Sequence, residues 1–329
     1  MLASAPFRSP CFVRRLWAKL ARAMVIEELY LSAKELIEAE RYREARELGH
    51  QLLKMRFSGA FEILAATFRG EGALDVALTV LENGVREAPH VWSLWMQLGN
   101  YLSESGRLTE ALNAYDTARS CSATDLDQID FNEAVMRMKF GNRRRAAELF
   151  GTVYRRTEDK QLRLVSLTHR LCLMVELKEI TEALMELGEA FLHESDNAEL
   201  LTTMALKLLE HDDRVNALNL AKQALGLKRA GRAAEVVRRI QGEPAPSCRN
   251  FNVRLQGEVE DETGHRAPFL KTSQVYAESE EEAQSFALAF EPPDVRPTLR
   301  VLGVTDMGAL SDERKGVNWS SEPDFSASD

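Results

Sequence analysis

Alanine recurs along the chain at a nearly constant interval, and this periodicity constrains the fold more than any other feature. The recurring residues are Ala45, Ala77, Ala111, Ala146, Ala183 and Ala217. Each lies within a similar pattern of apolar residues at helical spacing. A period of about 34 residues is the length of one helix-turn-helix unit, which buries its apolar face only by stacking on its neighbours. The chain is therefore predicted to be a stack of helical hairpins.

The clearest copy runs from Trp92 to about Asp125 and carries large and small residues at fixed offsets. These are Trp95, Leu98, Gly99, Leu102, Gly106, Ala111, Tyr115 and Ala118. The offsets resemble those of the tetratricopeptide repeat (TPR) family, in which small residues let the two helices of a hairpin approach closely. The resemblance implies an all-α helical-repeat solenoid, a TPR-like right-handed superhelix. It covers residues 26–242 as six units with a capping helix.

Three glycines mark where the first helix of a unit must end. Gly72, Gly106 and Gly141 follow the apolar pattern of that helix, and glycine tolerates the left-handed conformation found at helix C-termini. We therefore expect a tight turn at each of these positions.

A small α+β module is predicted after the repeats. From Asn250 the apolar residues alternate with polar ones, which is typical of strands, and a helical pattern follows Ser279. Ser279 is expected to cap this helix. The predicted order over residues 250–306 is strand, strand, helix, strand. Residues 307–329 are polar and lack periodicity, which predicts a disordered tail.

The first 25 residues form a basic N-terminal extension. Residues 1–26 carry five basic side chains and no acidic one, within a chain of net charge −9. On a notional helix Arg15, Lys19 and Arg22 lie on one side, with Phe12, Leu16, Leu20 and Ala23 on the other. Three interpretations stay open: an upstream extension with translation starting at Met24, an organelle transit peptide, or a membrane-surface helix.

Composition and motifs argue against several classes of function. The acidic repeat region would repel phosphate backbones, which disfavours nucleic acid as a partner. The four cysteines have no close spacing, and neither a metal-ligand pattern nor a glycine-rich phosphate loop is present. No stretch is apolar for long enough to cross a bilayer. The sequence therefore predicts a non-enzymatic protein with no cofactor and no metal, in the cytoplasm or, alternatively, targeted to an organelle.

The resemblance also implies a binding face, because the first helices of TPR units line a concave groove. The offsets that face this groove fall on Met96, Asn100, Phe131, Val135, Met138, Val165, Thr168 and Cys172. Most of these residues are apolar or contain sulfur, and such a lining suits an apolar peptide or an amphipathic helix. Docking of the chain's own C-terminal module on this face is the competing prediction.

The first functional hypothesis is therefore a protein–protein interaction scaffold or adaptor whose partner is a protein or peptide. A co-chaperone or assembly factor for secretion or pilus components is the second. An enzyme with its activity in the C-terminal module is the third.

Overall fold

The computed structural model describes residues 10–121, 126–191, 197–229, 231–245, 247–260, 266–310 and 313–325, with side chains from residue 19 onward. The chain divides into two units, residues 1–163 and 164–329, which are described separately.

The first unit contains four helical hairpins. Their helices are α1 Pro10–Glu38, α2 Tyr42–Lys54, α3 Ala60–Gly70, α4 Leu74–Glu87, α5 Trp92–Glu104, α6 Leu108–Cys121, α7 Leu126–Lys139 and α8 Arg143–Arg156. Successive helices pack on one another, as stacked hairpins must to bury their apolar faces. Ala65, Ala77, Leu81, Leu94 and Tyr115 lie in the largest core cluster, each at most 5 % exposed.

The turn within each hairpin contains one residue with positive φ. The six residues are Glu40, Gly72, Gly106, Gly141, Lys178 and Asp212, with φ between 58° and 83°. Each lies five residues before one of the recurring alanines, and all six alanines are fully buried. The helical-repeat fold and the left-handed conformation predicted for the three glycines are confirmed. The same turn also forms where glycine is absent.

The second unit begins with helices and ends in a sheet. The helices are α9 Lys160–Glu176, which starts at the end of the first unit, α10 Ile180–Phe191, α11 Ala198–Glu210, α12 Arg214–Leu227, α13 Ala233–Gln241 and α14 Glu280–Phe290. The strands are β1 Pro244–Ala245, β2 Arg249–Glu260, β3 Arg266–Ala277, β4 Arg300–Ala309, β5 Glu313–Arg314 and β6 Gly316–Ser320.

Four strands form an antiparallel sheet in the order β4-β2-β3-β6, and β1 pairs with β5. Helix α14 covers one face of the larger sheet. Its Ala283 and Ala287 pack with Phe251, Val253 and Val275, all nearly or fully buried. Ser279 caps α14 by accepting a hydrogen bond from the Glu282 amide. The predicted C-terminal module and its helix cap are confirmed.

Two segments differ from the predicted domain boundaries. Helix α1 continues without a break across residues 25 and 26, where the extension was expected to end. Strand β6 lies within residues 307–329, predicted to be disordered, and its Val317 is buried in the sheet core. An edge strand needs only a few inward apolar residues, so a single valine does not produce a recognisable alternation. Residues 1–9 and 326–329 lie outside the described ranges.

Candidate protein-binding face

The first helices of the first three hairpins are joined by a polar ladder. Tyr30 on α1 donates its hydroxyl hydrogen to Glu62 Oε2 on α3 over 2.8 Å, and Ser93 on α5 donates to the other oxygen of Glu62. Burial is the main cause of a raised pKa for the Tyr30 phenol. The carboxylate thus accepts from both sides and fixes the spacing of three neighbouring helices.

Helices α5 and α7 continue this face, where a hydrogen bond joins them. Asn132 on α7 donates its Nδ2 hydrogen to Met96 Sδ over 3.4 Å and also bonds to the Gln128 carbonyl over 2.8 Å. Met96 is only 5 % exposed. The Asn132 amide therefore contacts the nearly buried Met96 thioether.

Three half-buried side chains on α7 form what we call the apolar row: Phe131, Val135 and Met138. Their spacing of four and three residues places them on one side of the helix. Phe131 packs edge-to-face on the fully buried Phe150 of α8, with ring centroids 5.4 Å apart. The row thus combines a ring anchored in the core with two flexible or branched side chains that remain partly accessible.

Asn100, another predicted groove residue, is engaged within its own hairpin. Its Oδ1 accepts the hydroxyl hydrogen of Tyr115 over 2.7 Å. Tyr115 is 1 % exposed, and burial is the main cause of its raised phenol pKa. Because a buried hydroxyl needs a partner, Asn100 has a structural role as well as a position on the face.

A network of charges orients α7, and sequence reasoning missed it. Asp130 and Glu133 are 7 % and 4 % exposed. Arg119 on α6 bonds to both carboxylates, over 2.9 Å to Asp130 Oδ1, and Arg156 on α8 bonds to Asp130 Oδ2 over 2.8 Å. Buried carboxylates on one side of α7 bind the flanking helices and leave the apolar row on another side. Charged residues at helical spacing are usually solvated, so the sequence offered no signal for this network.

In the second unit the three remaining predicted groove residues lie along α9. Val165, Thr168 and Cys172 are all half-buried. The Thr168 hydroxyl donates to the Leu164 carbonyl over 2.8 Å, a bond within its own helix. Within the second unit, α9 thus presents a valine, a threonine whose hydroxyl is engaged and a thiol.

Cys172 is expected to react slowly with thiol reagents, because burial raises its pKa from 9.0 to about 11. Only the thiolate attacks, so at neutral or mildly alkaline pH the reactive fraction falls about a hundredfold relative to an unperturbed thiol. Alkylation by iodoacetamide, followed by mass spectrometry of the Cys172 peptide, should accelerate about tenfold per pH unit until pH reaches about 11. A rate that reaches its plateau near pH 9 would contradict this.

A cleft of about 610 Å³ opens between α11 and the end of the sheet in the second unit. Thr202, Thr203 and Leu206 of α11 line one wall, and Trp319 of β6, 37 % exposed, lines the other. Trp319 was not among the predicted site residues, because its strand was predicted to be disordered. Within the ranges that the structure describes, no group of three or more His, Cys, Asp or Glu side chains could hold a metal ion.

Comparisons with known proteins return similar folds but no sequence relatives. No family model and no curated protein matches the chain. Among solved structures, Pseudomonas aeruginosa PilF shows 15 % identity and a TM-score of 0.48, covering 63 % of this chain and 94 % of its own. A TPR repeat-containing protein from Cytophaga hutchinsonii shows 15 % identity and a TM-score of 0.47, covering 60 % of this chain and 78 % of its own.

A chain of the APC/C hetero-tetramer Cut9–Hcn1 shows 17 % identity and a TM-score of 0.44 over 68 % of this chain. The match spans about half of that longer chain, 48 %. Since every one of these TM-scores is below 0.5, the neighbours say nothing about what this chain binds. The tetratricopeptide-like character of the repeats rests on their own hairpins, buried alanines and positive-φ turns.

Proposed function

We propose that this tetratricopeptide-like chain is a non-enzymatic protein-interaction scaffold. The first helices of its hairpins bind an apolar peptide or an amphipathic helix. The observation that carries the proposal is the apolar row on α7, which stays half-accessible although the helix itself is fixed by ion pairs between its buried Asp130 and arginines of the flanking helices. A rigid helix that presents apolar side chains loses little entropy when a guest orders on it. The proposed contact residues are Met96, Asn100, Phe131, Val135, Met138, Val165, Thr168 and Cys172.

Chemistry of the face supports an apolar guest over a charged one. Helix α5 carries one charged side chain, Glu104, which already pairs with Arg69 over 2.7 Å. Arg69 also lies over the Tyr101 ring, and burial raises the Tyr101 pKa to about 12. Charges at this edge are thus mutually neutralised, whereas Met138 and Val135 offer adaptable apolar contact.

The proposal is tested by selecting binders from a phage-displayed random peptide library on the full chain. Selected peptides should carry apolar residues at helical spacing. Met138→Glu should weaken the best of them at least roughly tenfold in fluorescence anisotropy, because a carboxylate would be desolvated under the guest. Phe131 is left unchanged because its ring contacts the buried Phe150.

Val76→Glu is the matched control. Val76 is a 44 % exposed apolar residue on α4, a second helix of its hairpin, so the same change of charge there should leave peptide affinity unaltered. Two results would contradict the proposal: equal loss in both variants, or selected peptides that bind Met138→Glu as tightly as the unaltered chain.

A further inference from the structure

Between Lys19 and Val25, helix α1 carries side chains that find little protein to pack against. Every described side chain from Lys19 to Val25 is exposed, including Leu20 at 49 % and Met24 at 70 %. By contrast, from Ile26 onward the same helix packs on α2 and α3 through residues such as Leu29, Tyr30 and Ala33. One continuous helix therefore has a packed part that begins at Ile26 and an uncovered part over residues 19–25.

The apolar side chains of the two parts lie on different faces of α1. At 3.6 residues per turn, Leu20 and Met24 lie one above the other, whereas Ile26, Tyr30 and Ala33 lie roughly 80–180° away from them around the helix axis. Arg22, on the packed side, donates to the Met55 carbonyl over 2.7 Å. The stripe of Leu20 and Met24 therefore points away from the hairpins, and the sequence places Phe12 and Leu16 at the same spacing.

Charge identifies the surface that would cover this stripe. The first 26 residues carry five Arg or Lys and no acid, whereas the remainder of the chain has a net charge of −14. A helix with leucine-type residues on one side and basic residues on the other binds in the headgroup region of anionic bilayers. The acidic remainder is repelled by such a surface, which restricts contact to this helix.

We propose that the N-terminal segment of α1, residues 10–25, binds the surface of an anionic lipid bilayer and holds the repeats beside it. This goes beyond the proposed scaffold function and does not depend on it. Nucleic acid would attract the basic side chains but would make no favourable contact with Leu20 and Met24. A lipid surface can contact both the basic and the apolar side chains of the segment. Binding is peripheral, because none of the described helices has the length and apolar content needed to cross a bilayer.

Flotation of the full chain with lipid vesicles tests the proposal. Vesicles with about a third phosphatidylserine in phosphatidylcholine should carry the protein upward, and pure phosphatidylcholine should carry much less. Leu20→Glu with Met24→Glu should lower the vesicle-bound fraction roughly tenfold or more, because two apolar contacts become repulsive charges. The thermal unfolding of this variant should match the unaltered chain, since both side chains are exposed.

Met185→Glu with Val215→Glu is the matched control, because these apolar residues on α10 and α12 are 64 % and 72 % exposed. Its binding should equal that of the unaltered chain. The proposal is overturned if the full chain ignores anionic vesicles, if the control variant loses binding equally, or if a DNA oligonucleotide is bound as well as the vesicles. N-terminal sequencing of the cellular protein that begins at or beyond Met24 would also overturn it.

Discussion

Replacing Glu291 by alanine is expected to lower the free energy of unfolding of the second unit by about 3–5 kcal/mol. Glu291 Oε1 lies 2.7 Å from Lys271 Nζ, and the two side chains are only 4 % and 2 % exposed. The alanine variant leaves the Lys271 ammonium buried without its counter-charge, although it still donates to the Arg229 carbonyl over 2.7 Å. Urea denaturation followed by far-ultraviolet circular dichroism measures the change.

The loss of stability in Glu291→Ala should come from leaving the buried Lys271 charge unpaired, and not from losing the attraction between Lys271 and Glu291. Replacing both residues, Lys271→Met with Glu291→Leu, should recover most of the lost stability, because apolar side chains need no counter-charge. Glu322→Ala breaks the exposed ion pair with Lys228 and should change stability by less than about 1 kcal/mol. A double variant as unstable as Glu291→Ala would show that this explanation is wrong.

Gly99→Leu is expected to destabilise the first unit by about 3 kcal/mol, the upper end of the range for overpacked cores. A Cβ atom at this position would lie 2.9 Å from Tyr115 Cε1 and 3.2 Å from the Ala111 carbonyl oxygen. The Tyr115 ring cannot retreat without losing its hydrogen bond to Asn100, so α5 and α6 must separate. Urea denaturation of the full chain should show the earlier transition.

Gly188→Ala on α10 is the contrasting substitution at a helical glycine. Nothing lies within 4 Å of the Cβ that it would add, so alanine should stabilise α10 by roughly 0.5–1 kcal/mol through its better helix propensity. If Gly99→Leu were tolerated as well as Gly188→Ala, close contact between α5 and α6 could not be the reason for glycine at position 99.

The hairpins were predictable from sequence because their constraint is local and repeated. The buried alanines and the turns five residues before them recur even where Glu40, Lys178 and Asp212 replace glycine. Chain reversal needs the left-handed conformation, and non-glycine residues adopt it at a modest cost. The alanine spacing therefore located units that a search for glycine would miss.

Details of the candidate face were less predictable, because they depend on long-range polar contacts. Helical offsets predicted that Met96 lines a groove, but its burial depends on Asn132 of another helix. The orientation of α7 depends on Arg119 and Arg156, whose partners cannot be identified from periodicity. Whether the predicted residues bind a guest stays a prediction that the Met138→Glu experiment addresses.

The shared geometry of the six turns makes the number of hairpins adjustable. An excision that starts just after one positive-φ residue and ends with the next, such as residues 107–141, removes one full period and retains a single turn at the junction. Duplication of the same segment lengthens the array by one period. Each hairpin packs only on its neighbours, so the new junction is stable if the two hairpins that it brings together fit each other. The length of the array can then be changed by whole periods without redesigning any hairpin.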